Sequence, residues 1–353
     1  MLRNLSRIFD EAKRLLTKIR LGVCQWFGKR IGVAPIDTDY SGGAQCSFGV
    51  TLSGGEFTPG GTYPQNYSYP TSQSIDYYAS IGMKVIRFPL MWERVQPVPL
   101  QALSATEITR FEPSLLYAID KGMTVALDVH NDGLGYGKII GNHDCPDVWF
   151  ADLWGRLADR YKAFDDKIMF MLMSEPSQQC EYQWRNSANA AIAAIRKAGA
   201  QQTIVVPGTC FDGGWLWTIS ANARAMAGIK DPLNNYVFEA HQYLNADGSG
   251  SDGSIVRPSI GADRLHQMTL WARKNGHRLF LGEFGTGSDA ASLEALDQML
   301  RYIAHNADVW QHACWWGAGG LWMNYFMSIE PTDYLNPVDA PQTTLIRKAI
   351  AGR

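Results

Sequence analysis

The sequence predicts a closed (β/α)8 barrel, a TIM barrel that forms a single domain. Its 353 residues, 46% of them hydrophobic, suffice for one barrel of roughly 250 residues or more. Short apolar or β-branched runs recur eight times, with helical patterns between most of them. Strands that alternate with helices indicate a parallel sheet, and eight such units favour a closed barrel over an open sheet. No Gly-x-Gly-x-x-Gly or phosphate-binding loop follows the first run, which weakens the nucleotide-binding alternative.

The predicted strands are the short apolar runs, and the predicted helices are amphipathic or alanine-rich segments between them. A threonine or serine cap begins the first helix, and a glycine follows the first, second and fourth helices. In chain order the strands are Phe48–Ser53, Val85–Leu90, Thr124–His130, Ile168–Glu175, Thr203–Pro207, Tyr236–Tyr243, Leu279–Phe284 and Ala313–Gly317. The helices are Thr71–Ile81, Pro113–Lys121, Trp149–Phe164, Trp184–Ala198, Ser292–Ile303 and Thr343–Ala351.

The loops that follow the strands are rich in glycine, serine and asparagine. In a barrel these loops build the active face, so their small polar side chains predict an open cleft at that end. Some of the 12 Trp and 15 Tyr residues could line this cleft, because the CH faces of sugars stack on rigid aromatic rings; core packing is the other explanation. The loops are Gly54–Tyr69, Asn131–Asp144, Ser177–Glu181, Asn245–Pro258 and Gly285–Ala291.

Residues 1–40 are predicted to be a basic amphipathic extension that precedes the barrel of residues 41–353. Residues 1–34 hold eight Lys and Arg against two acidic residues, with apolar residues at helical spacing. This segment is too charged for a secretory signal peptide. Three explanations stay open: a helix that packs on the barrel, peripheral contact of residues 1–30 with an anionic membrane, and a start codon misassigned upstream of a true signal.

The charge and cysteine patterns argue against several function classes. A net charge of −2 gives no reason to expect nucleic acid as a partner, and no apolar run is long enough for a transmembrane helix. The six cysteines show no metal-binding spacing. Two states of these cysteines stay possible: a disulfide bridge between Cys145 and Cys180, or free buried thiols. The spacing of His130, His143 and His241 does not support a zinc site either.

Two glutamates stand at the ends of predicted strands. Glu175 ends the fourth strand, and Glu283 lies at the end of the seventh. At one rim of a parallel barrel they would form the acid and the nucleophile of a retaining glycoside hydrolase. A buried Arg87 on the second strand would hold a carboxylate ionised. Glu56 and Glu239 compete for the catalytic roles.

Polar or aromatic residues also end the third, sixth and eighth predicted strands, which packing alone explains poorly. They are His130, Asn131, His241, Tyr243 and Trp316. Together with the two glutamates, these residues belong to a set of motifs within residues 47–335. This set resembles glycoside hydrolase family 5, in its bacterial and fungal endoglucanase branch. The motifs are Gly49–Phe57, Arg87–Pro97, His130-Asn131, Glu175-Pro176, His241–Tyr243, Gly282–Gly285 and Trp316–Gly319.

The resemblance implies a role for each of these positions. Glu175 matches the acid/base of the family, and Glu283 matches its nucleophile. Arg87 and Tyr243 match residues that bond the nucleophile. His130 and His241 match residues that contact the sugar and carboxylates. Trp316 matches the aromatic platform at the cleavage site.

Two departures from the family bear on specificity. The family's Asn-Glu-Pro is Ser174-Glu175-Pro176 here, and that Asn bonds the sugar 2-hydroxyl. The shorter Ser174 would use a water bridge, accept a sugar that differs near C2, or slow the reaction. Gly320-Leu321-Trp322 stands where these endoglucanases usually carry Pro-Trp-Trp, so one aromatic wall of the cleft could be missing.

We therefore expect a monomeric, retaining, endo-acting β-glucanase that takes β-linked oligo- or polysaccharides and needs neither a metal nor an organic cofactor. A glycanase for another β-linked polysaccharide, such as a bacterial exopolysaccharide, is the first alternative. A catalytically weak barrel that binds glycans is the second, with Ser174 as the sign of decay, although the intact glutamates and Arg87 argue against it. The resemblance implies a secreted or periplasmic protein, but the sequence shows no clear signal peptide.

Overall fold

Eight parallel strands close into one barrel. The computed structural model describes residues 32–322 and 324–352. Each strand pairs with its neighbours in chain order, and the eighth strand pairs with the first. The predicted (β/α)8 fold is therefore confirmed. The strands are β1 Ser47–Leu52, β2 Val85–Leu90, β3 Thr124–Val129, β4 Ile168–Met171, β5 Ile204–Val206, β6 Tyr236–Tyr243, β7 Leu279–Gly285 and β8 Trp310–Ala318.

Helices lie around the barrel; they connect successive strands, except the last, which follows β8. Side-chain oxygens of Thr71, Ser104 and Asp289 accept hydrogen bonds from first-turn backbone N–H groups and so define where three helices begin. Gly276, with a φ of 69°, ends another helix in the left-handed conformation that glycine adopts readily. The helices are α1 Ser72–Ser80, α2 Ala105–Asp120, α3 Asp147–Tyr161, α4 Glu181–Lys197, α5 Asn222–Met226, α6 Ile260–Asn275, α7 Ala290–His305 and α8 Pro341–Ala351.

Three helices depart from the sequence prediction. α2 begins at Ala105 rather than at Pro113, because Ser104 caps it and the proline is accommodated inside the helix. No helix was expected between β6 and β7, where α6 lies. α6 buries Asp263 and Arg264, and these charges hide its apolar period from sequence inspection. α5 was not expected either, because its five residues are too few for a period to show.

The loops at the carboxyl ends of the strands contain small elements of their own. A one-turn helix, Trp92–Val95, follows β2, and a hairpin of Leu134–Gly135 with Lys138–Ile139 follows β3. Cys145 and Cys180, in the loops after β3 and β4, are free thiols, so the structure does not contain the bridge considered between them. Short 3-10 helices lie at Gly43–Gln45, Lys162–Lys167 and Gly214–Leu216.

The inside of the barrel has an apolar layer and a charged layer. Side chains two residues apart on a strand point to the same side. Val85 of β2 and Val237 of β6 belong to a buried apolar cluster inside the barrel. Two residues further on, Arg87 and Glu239 approach each other across the barrel, with 3.6 Å between Nη2 and Oε1. The charged layer therefore lies toward the carboxyl ends of the strands, where a barrel carries its active site.

Residues 32–40 run along the outside of the barrel against α6 and α7. The N–H of Ala34 donates to Asp263 Oδ1 at 2.9 Å, and the Tyr40 hydroxyl donates to a carboxylate of α7. The predicted basic helix and its membrane contact fall on residues 1–31, which lie outside the described residues. Within the part of the chain that is described, no helix has both the length and the apolar character needed to span a membrane.

Candidate active site

Glu175 and Glu283, the glutamate pair, meet at the carboxyl ends of β4 and β7. One carboxyl oxygen of each lies within 4.8 Å of the other and of a ring nitrogen of His241. Retaining glycoside hydrolases place their carboxyl groups about 5–5.5 Å apart, whereas inverting enzymes need about 6.5–9.5 Å to admit a water. β4 ends at Met171 rather than at the predicted Glu175, so Glu175 lies in the following loop. The pair nevertheless has the close spacing of a retaining enzyme.

Glu283 is held by cationic and hydroxyl groups. Arg87 donates to its Oε1, and the Tyr243 hydroxyl donates to its Oε2 at 2.6 Å. His241 Nδ1 lies 3.5 Å from the same Oε2. Burial alone would raise the pKa of Glu283, but the charges of His241 and Arg87 outweigh it and lower the pKa to about 2. Glu283 is therefore a carboxylate at neutral pH.

Glu175 has a different environment, with a partial route to solvent. His241 Nδ1 donates to its Oε1 at 2.8 Å, and 27% of its side chain is exposed. The pKa of Glu175 is raised because burial outweighs the hydrogen bond from His241, and the nearby Glu283 carboxylate adds to the rise. Glu175 is thus the member of the pair that holds a proton more readily.

His241 joins the pair to a deeper carboxylate. Its Nδ1–H donates to Glu175, and its Nε2–H donates to Glu239 Oε1 at 3.0 Å. Burial alone would lower the pKa of His241, but the three surrounding glutamates raise it well above its usual value. The imidazolium form carries a proton on each nitrogen, so it can make both hydrogen bonds at once.

Arg87 is the positive centre of the charged layer and is fully buried. Its Nη2 lies 3.0 Å from Asp128 Oδ2 and 3.6 Å from Glu239 Oε1. Nη1 donates to Glu283, and Nη2 also donates to the Ser174 hydroxyl oxygen at 3.0 Å. Because the guanidinium fork is planar and permanently charged, it fixes the direction of each carboxylate that it contacts.

The rings of His130 and Trp316 stack on each other beside the pair. Their ring centroids are 5.5 Å apart, and their planes are inclined by 16°. His130 Nδ1 donates to Asp128 Oδ2 at 2.9 Å. Burial alone would lower the pKa of His130, but Asp128 raises it to about 9. An aromatic face edged by charged donors suits a sugar ring, because its CH groups can stack and its hydroxyls can accept hydrogen bonds.

Two cavities open among the loops at this end of the barrel. One, of about 260 Å³, is formed by the loops after β4, β5 and β6 and is lined by Glu175, Trp215 and Tyr243. The other, of about 780 Å³, is formed by the loops after β1, β2 and β3 and is lined by His130 and Arg94. The smaller cavity thus reaches Glu175, and the larger one reaches His130.

The chain and its fold have counterparts among known proteins. The family described as Cellulase (glycosyl hydrolase family 5) matches residues 45–319. The chain belongs to glycoside hydrolase family 5. Endo-β-1,4-glucanase B of Aspergillus niger is 34% identical over 304 residues, which cover 84% of this chain and 90% of that protein. An endo-β-1,4-glucanase structure from Xanthomonas axonopodis pv. citri is 38% identical with a TM-score of 0.83, and covers 86% of this chain and 98% of that one. XacCel5A in complex with cellopentaose is 38% identical with a TM-score of 0.84, and covers 87% and 99%.

Ser174, where the resemblance to family 5 implies an asparagine, is fully buried. Its hydroxyl oxygen accepts from Arg87 Nη2 at 3.0 Å, and its backbone N–H donates to the carbonyl of Val129 at 3.0 Å. The serine therefore contacts the same guanidinium that holds Glu283.

Trp322 of this family 5 chain packs among other aromatic side chains. Its ring lies 5.5 Å from that of Trp316, at a steep angle of 74°. The ring of Tyr325 stacks on Trp322 at 4.3 Å, and Phe57 meets Trp322 edge-on at 5.0 Å. The segment that lacks Pro-Trp-Trp thus still places one tryptophan next to Trp316.

Asn131 differs from the other predicted site residues because its hydrogen bonds point away from the pair. Its Nδ2 donates to Glu93 Oε2 at 2.7 Å, and its Oδ1 accepts the N–H of Trp92 at 2.8 Å. Asn131 therefore anchors the one-turn helix after β2, and it lines the larger cavity. Its predicted place among the substrate contacts stays a prediction.

The two rival glutamates occupy other positions. Glu239 lies below the pair, where it accepts from His241 and faces Arg87. Glu56 is buried at the edge of the larger cavity, and its Oε2 accepts the N–H of Gly54 at 2.8 Å.

Two further carboxyl groups of the site were not singled out from the sequence. Asp128 precedes His130 by two residues on β3, so the period of a strand would have placed it in the charged layer. Asp212 lies in the loop after β5, where its Oδ2 accepts the N–H of Glu175 at 2.8 Å. Nothing in the sequence marks a single loop aspartate before the fold brings it to the rim.

The expectation that the site needs no metal and no organic cofactor stays a prediction. In the described residues, two groups of side chains are close enough to hold a metal ion: Glu175 with His241 and Glu283, and Asp212 with Glu239 and His241. The members of each group are already joined by hydrogen bonds or ion pairs. His143 belongs to neither group and lies exposed beside Asp144.

Proposed function

We propose that this family 5 hydrolase is an endo-acting β-1,4-glucanase that retains anomeric configuration, with Glu283 as nucleophile and Glu175 as acid/base. One observation carries the proposal: the two carboxyl groups approach within 4.8 Å while their pKa values are displaced in opposite directions. One group is ready to attack and the other to protonate, as a double displacement requires. The relatives named endo-β-1,4-glucanase, and the complex with cellopentaose, support a β-1,4-glucan as the substrate.

In the first step a carboxylate oxygen of Glu283 attacks the anomeric carbon as the glycosidic C–O bond breaks. Glu175 delivers its proton to the departing oxygen, so a sugar hydroxyl leaves and a glycosyl ester of Glu283 remains. Glu175 becomes a carboxylate in this step. The His241 imidazolium, which donates to its Oε1 at 2.8 Å, stabilises the new charge.

In the second step a water molecule replaces the leaving group. Ionised Glu175 takes a proton from the water as its oxygen attacks the anomeric carbon, and the ester bond to Glu283 breaks. Two inversions restore the β-configuration, Glu175 regains its proton, and Glu283 regains its charge. Arg87 and Tyr243 donate to Glu283 and so stabilise the carboxylate as it departs.

The surface of Trp316 and His130 supplies a place for the sugar whose bond is cleaved. The cavity next to Glu175 suits the leaving group, because Glu175 protonates the leaving oxygen. The larger cavity next to His130 suits the sugars on the other side of the bond. Space on both sides of the pair supports cleavage within a chain rather than at its end.

A β-glycan that differs near C2 is the second candidate substrate, and Ser174 is the observation that favours it. A buried serine whose oxygen already accepts from Arg87 reaches less far than the family's asparagine. Its contact with a 2-hydroxyl is therefore weaker than that of an amide, or is relayed by water. A bacterial exopolysaccharide would be such a substrate.

The test is hydrolysis of cellopentaose and of a panel of β-glycans by the purified protein, with product analysis. The wild type should release short cello-oligosaccharides, and Glu283→Ala should release none. Glu112→Gln, which removes a carboxylate paired with Arg160 on the surface, is the matched control and should behave as the wild type. Hydrolysis of a different β-glycan only would move the assignment to the second candidate. Binding of glycans without any hydrolysis would contradict both.

A further inference from the structure

The backbone of Glu175 is in a strained conformation. Its φ is 48°, in the left-handed region that residues with side chains seldom adopt. The next residue is Pro176, and a residue before proline prefers an extended backbone. Such a conformation persists only where the surroundings enforce it. The N–H of Glu175 donates to Asp212 Oδ2 at 2.8 Å, so Asp212 directly supports this conformation.

Asp212 is itself part of a strained turn after β5. Cys210, Phe211 and Asp212 have φ values of 61°, 57° and 53°, and none of them is glycine, which would adopt this region at least cost. The backbone carbonyl of Asp212 accepts the N–H of His241 at 2.8 Å. The turn therefore ties the loop that carries Glu175 to the strand that carries His241.

The carboxyl group of Asp212 is fully buried. Its Oδ1 has no hydrogen-bond partner within residues 32–322 and 324–352. Burial and the neighbouring Glu239 raise the pKa of Asp212 well above its usual value, and the opposing charge of His241 does not cancel the rise. Oδ2 lies 2.8 Å from the N–H of Glu175 and can accept it whether or not the carboxyl carries a proton. The contact thus depends on an acceptor atom at this position.

We propose that Asp212 is a positioning residue that holds the backbone of Glu175, and with it the direction in which the Glu175 carboxyl reaches the glycosidic oxygen. This inference rests on the proposed role of Glu175 as the acid. Proton transfer requires the acid to lie within hydrogen-bond reach of the leaving oxygen, and a small displacement lowers the rate steeply. A leaving group that departs without a proton should be insensitive to the same displacement.

Three variants separate positioning from a general structural role. Asp212→Gly removes the acceptor and suits the positive φ, so it is expected to fold. Asp212→Asn keeps an oxygen acceptor and also tolerates the left-handed region. Asp165→Gly makes the same change at another positive-φ aspartate, exposed and after α3, and is the matched control. Circular dichroism and thermal unfolding verify that each variant is folded, and Asp212→Ala replaces the glycine variant if that one is not.

The readout is kcat/KM on cellopentaose and on 2,4-dinitrophenyl β-cellobioside, whose leaving group needs no proton. Asp212→Gly should lower the value about 30-fold on cellopentaose, through kcat rather than KM, and less than about threefold on the aryl glycoside. Asp212→Asn should keep at least about a third of the wild-type value on both. Asp165→Gly should match the wild type.

Equal losses on both substrates in Asp212→Gly would overturn the inference, because they would indicate a general structural role. A loss in Asp212→Asn as large as in Asp212→Gly would also overturn it, since the acceptor would then not suffice. Wild-type activity of Asp212→Gly on cellopentaose would do the same. A wild-type protein that cleaves neither substrate would overturn the proposed function and this inference together. If the wild type cleaves both, the variants test the role of Asp212 alone.

Discussion

The two glutamates of the site lie in opposite environments. Glu283 lies within a strand, is 4% exposed, and has donors at both oxygens, Arg87 at one and Tyr243 at the other. Glu175 lies in a loop on a strained backbone, and 27% of its side chain is exposed. The protonation state of a carboxyl is therefore determined by the donors and the solvent around it rather than by the residue type.

This difference matches the two tasks of a double displacement. A carboxylate surrounded by fixed donors resists protonation, which suits a group that attacks carbon. A carboxyl with access to solvent can lose and regain a proton, which an acid/base must do in every turnover. Each prediction below removes one element of this contrast, and the expected effects become smaller in the order given.

The largest effect is expected from removing the ionised carboxylate. Glu283→Ala should lower kcat/KM on cellopentaose by about 10⁴-fold or more, because no bond to the sugar can form. Azide should occupy the vacated space and restore turnover of an activated aryl cellobioside. A single inversion then gives the α-glycosyl azide, which NMR identifies. A β-glycosyl azide would show that the nucleophile is a different residue.

The second effect concerns the proton of Glu175. The proposed mechanism needs Glu283 ionised and Glu175 protonated, so kcat/KM should fall as the pH rises through the raised pKa of Glu175. It should also fall as the pH drops toward about 2, the pKa of Glu283. Glu175→Gln should remove the alkaline limb and lower kcat/KM on cellopentaose by about 10²–10⁴-fold. An alkaline limb that survives in this variant would belong to another group.

The third effect tests one donor of the ionised half. Tyr243→Phe removes the hydroxyl that donates to Glu283 Oε2 at 2.6 Å and keeps the ring. A hydrogen bond to a charged group contributes about 1.5–3 kcal/mol, so kcat/KM should fall about 10–100-fold. The pKa of Glu283 should rise, because this bond lowers it, and the acid limb should move to higher pH. Tyr117→Phe, which removes a surface bond to Asp76, should change neither.

The smallest effect is expected at Ser174. If the substrate is a plain β-1,4-glucan, Ser174→Asn should raise kcat/KM on it by about tenfold or less, through a stronger contact at the 2-hydroxyl. If the natural sugar differs near C2, activity on that glycan should fall while activity on β-1,4-glucan grows. Parallel assays on both substrates distinguish these results. No change on either would show that residue 174 does not act on specificity.

The barrel was predictable because its strands are short apolar runs separated by helices, a pattern that survives in the sequence without any knowledge of contacts. The approach of Glu175 and Glu283 followed from that pattern, since parallel strands in a barrel end at the same rim. Arg87 could be named as a partner because it stands on a buried strand, where a lone charge requires a carboxylate.

Other parts of the site depend on contacts that no local pattern reveals. Asp212 is a single loop aspartate, and only the closure of the barrel brings it to the N–H of Glu175. The bond of Ser174 to Arg87 likewise joins residues far apart in sequence. The burial of Asp263 and Arg264 in α6 could not be predicted from the sequence either, because their hydrogen-bond partners lie elsewhere in the chain.

The most direct test of the account is to identify the residue that bonds the sugar. A 2-deoxy-2-fluoro-β-cellobioside with an activated leaving group slows hydrolysis of the ester more than its formation, so the glycosyl-enzyme accumulates. Mass spectrometry of the digested protein should find the sugar on Glu283. A sugar on Glu175, Glu56 or Glu239 would contradict the account. So would the absence of any label together with an α-anomer as the first product from cellopentaose, because that product would indicate inversion.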